Sequence, residues 1–260
     1  MSADWDMPEG QSDVFAFDFD GVICDSVGEN FITTWHALRA LEPDLPATPP
    51  AQLRDQFISC RPAIETGYQN IPLMQLLLTG VTVSDMLENF DTLVRNYLDA
   101  NGLTDADMMN GFGVARAAWR DADPQGWFDA QGFYEHTFAS VNAVADRAII
   151  ATTKQNAFAC RLVERAGLQV PLPRVYGLER LGPRKKRTVL EELERRNPHA
   201  VVHFFEDRIA TLEKLTDLPR TKLHLVDWGY NLEQHRERAR ASEHMDLLSP
   251  ESFAALIQGR

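Results

Sequence analysis

Four short apolar runs, each cut off by polar side chains, limit how this chain can fold. Val14-Phe15-Ala16-Phe17 stops at Asp18-Phe19-Asp20-Gly21, and the AIIA of 148–151 stops at Thr152-Thr153-Lys154. The AVVHFF of 200–205 stops at Glu206-Asp207, and the KLHLV of 222–226 stops at Asp227. Continuous apolar runs of this length suit strands covered on both faces, as in a parallel sheet; a half-exposed strand would alternate. Arg174–Tyr176 reads as a further short strand. Helical patterns separate the runs. Asn156–Ala166 carries an apolar stripe, with Gly167 placed as a C-terminal cap. Thr188-Val-Leu-Glu191 reads as a capping box opening a helix to about Arg196. Arg208–Thr216 is a short third helix, and Ser249-Pro250 opens a last one to about Ile257. Strands alternating with helices predict an α/β parallel sheet. Ligands of such sheets bind at the carboxyl ends of the strands, where all these polar residues fall.

The interval from about Ser26 to Ala145 reads differently. It holds no convincing strand. Ser26-Val-Gly-Glu29 resembles a capping box, followed by Phe31, Trp35 and Leu38 on one helical face. Met86–Leu98 is similarly periodic, with Gly102 after it. Phe112–Trp119 and Phe133–Val144 add helical stretches, and Pro43, Pro46, Pro49 and Pro50 mark a loop. The organisation expected is a polar tail over residues 1–12, an α/β core over 13–25 and 146–260, and a mostly helical domain over 26–145 inserted after the first strand.

Composition narrows the function classes. The 260 residues are 44% hydrophobic and 25% charged, ordinary values for a soluble globular chain, with a formal net charge of −12. That charge repels nucleic acid and anionic membrane, so neither is expected as a partner. It leaves room for a small anion in a locally positive site. Cys24, Cys60 and Cys160 form no C-x-x-C pair and read as reduced, buried thiols. The acidic N-terminus lacks a secretory pattern, and no run approaches the roughly 18 apolar residues of a membrane span. A cytoplasmic protein is the expectation.

Asp18 and Asp20 are the sharpest chemical signal. Side chains at i and i+2 of an extended segment point the same way. Two carboxylates about 4 Å apart repel by roughly 4 kcal/mol at an effective dielectric of 20. A divalent cation or a shared proton relieves that repulsion. Gly21 permits the tight turn that must follow.

Phe17-Asp18-Phe19-Asp20-Gly21-Val22, with Asp25-Ser26 after it, resembles the first motif of the haloacid dehalogenase superfamily, and later landmarks follow in the family's order. The resemblance implies a Rossmann-like parallel-sheet core with an inserted helical cap. It implies a phosphatase in which Asp18 is the nucleophile and Asp20 the acid and base. Asp20 itself favours phosphoryl over carbon–halogen chemistry, since the dehalogenases usually lack that acid. Mg²⁺ is the implied cofactor, held by Asp18 and the main-chain carbonyl of Asp20.

Ile149–Lys154 resembles the second motif, so Thr152 is expected to hold the phosphoryl group, with Thr153 as its neighbour. The basic stretch Arg184-Lys185-Lys186-Arg187 stands where the family places a lysine. The spacing to Val189-Leu190 favours Lys186 over Lys185. The fourth motif is matched only in part. Asp207 matches a metal-binding acid, but Glu206 stands where glycine is usual and Thr211 where a second acid is usual, so either Glu206 or a water supplies the missing ligand. Asp227-Trp228-Gly229-Tyr230 resembles a stretch of phosphoglycolate-phosphatase-like members. Arg61 is offered to a substrate carboxylate or phosphate, against the alternative of an Arg61–Glu65 surface pair. Trp35, Trp119 and Trp127 read as packing residues. The implied function is hydrolysis of a small phosphorylated metabolite through an aspartyl-phosphate, by a monomer or homodimer. The alternatives are a phosphomutase and a weakly catalytic binding or regulatory protein.

Overall fold

The computed structural model describes residues 6–10, 12–182 and 185–259. The chain divides into two compact units: one takes in the chain up to Asp25 and from Phe133 onward, the other is Ser26–Gly132.

The first unit is built on a six-stranded, all-parallel sheet. Its strands are β1 (Val14–Phe17), β2 (Ala148–Ala151), β3 (Val175–Tyr176), β4 (Val202–Glu206), β5 (Thr221–Val226) and β6 (Met245–Leu248). Their spatial order is β3-β2-β1-β4-β5-β6. This is the doubly wound arrangement, whose order reverses between β1 and β4. The apolar runs form strands because both faces are covered. Val14, Ala16, Ile149, Phe204 and Leu225 join one core cluster with Val189, Leu190 and Leu193 of the helix Lys186–Arg196. The alternate residues on β1, β4 and β5 stack as rings. Phe17 lies 4.9 Å from Phe205, Phe205 lies 4.9 Å from His224, and Phe253 of the helix Pro250–Gln258 packs edge-on against Phe205 at 5.1 Å.

Several local expectations need correction. The domain boundary falls after Gly132, not at 145–146, because the helix Glu135–Ala143 packs on Pro250–Gln258 within the sheet unit. The loose tail is ordered over Asp6–Gly10. Met7 is buried, the Tyr176 hydroxyl donates to the Asp6 carbonyl at 2.6 Å, and Asn197 Nδ2 donates to the Pro8 carbonyl at 3.0 Å. Residues 1–5 and 11 lie outside the described residues. The helix expected from Thr188 starts at Lys186, so Thr188 sits inside its first turn. Strand β6 was not anticipated; it is a short edge strand with an exposed Asp246.

The second unit is helical, with Val27–Leu41, Ala51–Cys60, Asn70–Leu78, Val83–Asn101, Asp105–Ala122 and Pro124–Asp129. Ser26 makes no side-chain cap bond. Glu29 is instead fully buried, paired twice with Arg116 at 2.8 Å, and Thr33 donates to it at 2.5 Å. Arg116 also donates to Asn30 Oδ1 at 2.8 Å. Trp35 and Trp127 are buried, whereas Trp119 is half-buried and edge-on to His36. Cys24 and Cys60 are buried free thiols; Cys160 is only half-buried. Among the described residues, no helix is long and apolar enough to cross a membrane.

Candidate active site

The strand order reverses between β1 and β4, and in such sheets ligands bind at the carboxyl ends of the strands at that point. The first polar residue after β1 is Asp18, and its N–H donates to the Phe205 carbonyl of β4 at 2.9 Å. That bond carries the strand pairing one residue past β1 and brings Asp18 beside the end of β4. The last residue of β4 is Glu206, and Asp207 follows it. Ligand oxygens of Asp18, Glu206 and Asp207 lie within 4.8 Å of one another, and all three residues are buried.

Lys186 ties this cluster together. Its Nζ lies 2.7 Å from Asp18 Oδ2 and 2.7 Å from Glu206 Oε2. Burial pushes the Asp18 carboxyl up to about 8, against the downward pull of Lys186. Burial likewise raises Glu206. At Lys186, burial disfavours the charged form, but the two flanking carboxylates outweigh it and hold the ammonium above its ordinary range. Glu206 is further fixed by main-chain donors: the N–H groups of Asp207 and Arg208 each reach its Oε1 at 3.1 Å. Thr211, which replaces the second acid of the resemblance, lies on the short helix Ile209–Leu212.

Asp207 is seated by the loop after β5. The Tyr230 N–H donates to its Oδ2 at 2.7 Å, and Asn231 Nδ2 to its carbonyl at 3.1 Å. Two glycines make room for it. Gly21 has φ +85°, and a Cβ there would stand 2.0 Å from Asp207 Oδ2. A Cβ on Gly229 would stand 2.3 Å from the Asp207 Cβ. The Trp228-Gly229-Tyr230 stretch thus supports the acid loop. Trp228 also donates to the Val22 carbonyl at 3.0 Å, and the Tyr230 hydroxyl to Asp25 Oδ1 at 2.7 Å.

Asp20 stands apart from the three-carboxylate group. It lies in the turn closed by the Gly21 N–H to the Cys24 carbonyl, and its Oδ1 is 3.3 Å from Lys154 Nζ. The Lys154 side chain is 1% exposed. Lys154 is the residue missed when only Thr152 and Thr153 were drawn from this segment. A lysine closing the Thr-Thr-Lys end of an apolar strand was the available signal.

Thr152 is fully buried; its N–H donates to the Tyr176 carbonyl at 3.0 Å, and its hydroxyl oxygen accepts from the Lys154 N–H at 3.1 Å. Thr153 is half-buried beside it. Lys185 takes a left-handed φ of 50° as the residue preceding the helix, while its neighbour Lys186 reaches the carboxylates. Arg184 lies outside the described residues. Arg61 belongs to the helical unit, where it is buried and donates to the Ile64 carbonyl at 3.2 Å.

The donor set suits a hard divalent cation. Its groups are all oxygens, and three carboxyls face one ammonium; burial holds protons on Asp18 and Glu206, and a cation would take the place of those protons.

No protein-family model matches the sequence, and no curated protein matches it. Solved structures do. A predicted phosphoglycolate phosphatase from Haemophilus somnus superposes with a TM-score of 0.61 at 12% identity, over 96% of this chain and 98% of that one. A predicted phosphatase from Clostridium acetobutylicum gives a TM-score of 0.59 at 13% identity, over 96% and 100%. A haloacid dehalogenase-like family hydrolase from Streptococcus pneumoniae gives 0.53 at 13% identity, over 95% and 98%. At these identities the likeness is one of architecture, and the chain has the haloacid dehalogenase-like fold.

Proposed function

We propose that the protein is a Mg²⁺-dependent phosphatase acting on a small phosphorylated metabolite. The observation that carries this reading is the bridge from Lys186 to both Asp18 and Glu206, with Asp207 in the same buried cluster. An isolated pair of aspartates after a strand would need no such partner.

Asp18 acts as the nucleophile. Its carboxylate oxygen forms a bond to phosphorus as the ester oxygen leaves, giving an aspartyl-phosphate. Asp20 gives its proton to the leaving oxygen, then takes one from the water that attacks the same phosphorus. That second attack releases inorganic phosphate and frees Asp18. Lys186 spends two donors on Asp18 and Glu206 and keeps a third N–H for a phosphoryl oxygen. The Thr152 hydroxyl already accepts from the Lys154 N–H, so its own proton is directed to the phosphoryl group. Mg²⁺ would be held by Asp18, Asp207 and Glu206 with the main-chain carbonyl of Asp20, and would neutralise charge on the transferring group.

The test is phosphate release from p-nitrophenyl phosphate and a panel of small phosphomonoesters, phosphoglycolate among them, with Mg²⁺ present. The wild type should release phosphate and Asp18→Asn should not. Folded wild-type protein that is silent across the panel would overturn the reading. Isomerised product without phosphate release would assign a phosphomutase instead.

A further inference from the structure

We infer that Lys154 is a positioning residue for Asp20, holding one oxygen of that carboxyl so that the other faces the ester oxygen. The inference rests on the phosphatase reading and adds to it a second lysine, distinct from Lys186. Lys154 and Asp20 come from different strand ends, after β2 and after β1, and meet at 3.3 Å. The Lys154 side chain is almost completely enclosed, at 1% exposure, and the Asp20 side chain is 16% exposed. Burying an ammonium is costly unless a charge of opposite sign faces it, so the contact is selected by burial as well as by geometry. Asp20 Oδ1 is itself a buried oxygen with no hydrogen-bond partner of standard geometry, so the lysine is the group that compensates it.

The geometry also separates the two lysines by task. Lys186 addresses Asp18 and Glu206, the nucleophile and the carboxylate beside Asp207. Lys154 pairs with Asp20 in the turn after β1. Its backbone is anchored on two sides, by its N–H on the Thr152 hydroxyl at 3.1 Å and by its carbonyl accepting from the Leu178 N–H at 2.9 Å. Lys154 therefore couples the phosphoryl-binding Thr152 to the acid/base Asp20 through one short segment. With Oδ1 occupied, Oδ2 is the oxygen that gives and takes the proton.

A positioning role for a general acid has a signature that simple phosphate binding lacks. p-Nitrophenolate leaves without a proton, whereas an alkoxide needs one. The value of kcat/KM for each substrate reports steps up to the first phosphoryl transfer, before water attacks. For Lys154→Met, kcat/KM for an alkyl phosphate such as glycerol phosphate should fall by roughly 10- to 100-fold, part of the usual general-acid contribution. The value for p-nitrophenyl phosphate should change by less than about 3-fold. Asp20→Asn should lose kcat/KM for the alkyl phosphate at least as far as Lys154→Met, and the double variant should lose little more than Asp20→Asn alone. Lys154→Arg, which keeps the cation, should recover part of the alkyl phosphate activity. Equal losses on both substrates, or additive losses in the double variant, would overturn the inference while leaving the phosphatase reading intact. A crystal structure of Lys154→Met gives a readout independent of turnover: Asp20 should leave its wild-type rotamer, and an unmoved Asp20 would overturn the inference. If Met unfolds the protein, Lys154→Gln serves for the same measurements.

Discussion

Gly21 lies directly under Asp207, so closely that a Cβ at Gly21 would stand 2.0 Å from Asp207 Oδ2. The backbone there has φ +85°, where an L-side chain costs about 1–2 kcal/mol before any contact is counted. Gly21→Ala should therefore both strain the turn and drive Asp207 out of the carboxylate cluster. The expected outcome is a lower urea midpoint and at least about a 100-fold loss of phosphatase activity, comparable to losing one transition-state stabilising group. Near wild-type turnover from Gly21→Ala would mean that Asp207 is dispensable.

The buried Asp18 makes the stability of the metal-free protein depend on pH. In the folded protein its carboxyl releases its proton only at about 8; in the unfolded chain it does so near 3.8. Between those values the folded state binds the extra proton. The stabilisation linked to that proton is complete below pH 3.8 and is lost as pH rises through about 8. Lys186 stays protonated in both states over this window and adds no slope there, because its ordinary value of 10.5 is raised on folding. Chelator-treated wild type should thus lose urea resistance from mildly acid to mildly alkaline pH, more steeply than Asp18→Asn. Parallel profiles would contradict this.

Mg²⁺ should oppose that loss. A cation that binds only the folded state stabilises by about 2.7 kcal/mol at 100 times its Kd. Thermal unfolding of wild type should shift upward as Mg²⁺ is added, and more at pH 8 than at pH 6, because the metal competes with the Asp18 proton. Asp207→Asn should weaken the shift, which differential scanning fluorimetry can follow. No dependence on Mg²⁺ at either pH would count against a cation site on Asp18, Glu206 and Asp207.

Glu29 and Arg116 make a separate prediction in the helical unit. Both are buried and doubly bonded at 2.8 Å. Removing one partner strands a buried charge, so Arg116→Met should cost roughly 3–5 kcal/mol. Replacing both with apolar residues of similar volume should cost much less. Equilibrium denaturation of the single and double variants separates the two. Equal losses would show that the pair is not coupled.

Much of the α/β unit was legible in local pattern. The apolar runs at 14–17, 148–151, 200–205 and 222–226 had to hold strands covered on both faces, and Val14–Phe17, Ala148–Ala151, Val202–Glu206 and Thr221–Val226 fall on them. Gly167 and Ser249-Pro250 end and begin helices as their conformational preferences require: Gly167 has φ +75°, and Ser249 accepts from the Ser252 N–H. The helix Asn70–Leu78 escaped notice because most of it is buried and it lacks a clear polar face. The Ser26 and Thr188 capping patterns misled for another reason. Glu29 gains more from Arg116 in the interior than from the helix terminus, and Lys186 brings the helix start forward to reach the carboxylates.

By itself the sequence determined five of the six strands of the parallel sheet, that Asp18 and Asp20 stand at the end of the first, and that an acidic chain carries a local basic stretch. Those are matters of spacing and side-chain chemistry within a few residues. Only the tertiary structure decided that β4 lies beside β1, that Glu206, one candidate from the sequence, joins the carboxylate cluster, and that Lys154 and Lys186 divide between Asp20 and Asp18. Such pairings join residues far apart in the chain. They are selected by the cost of burying charge without a partner, and that cost exists only once the strands have packed.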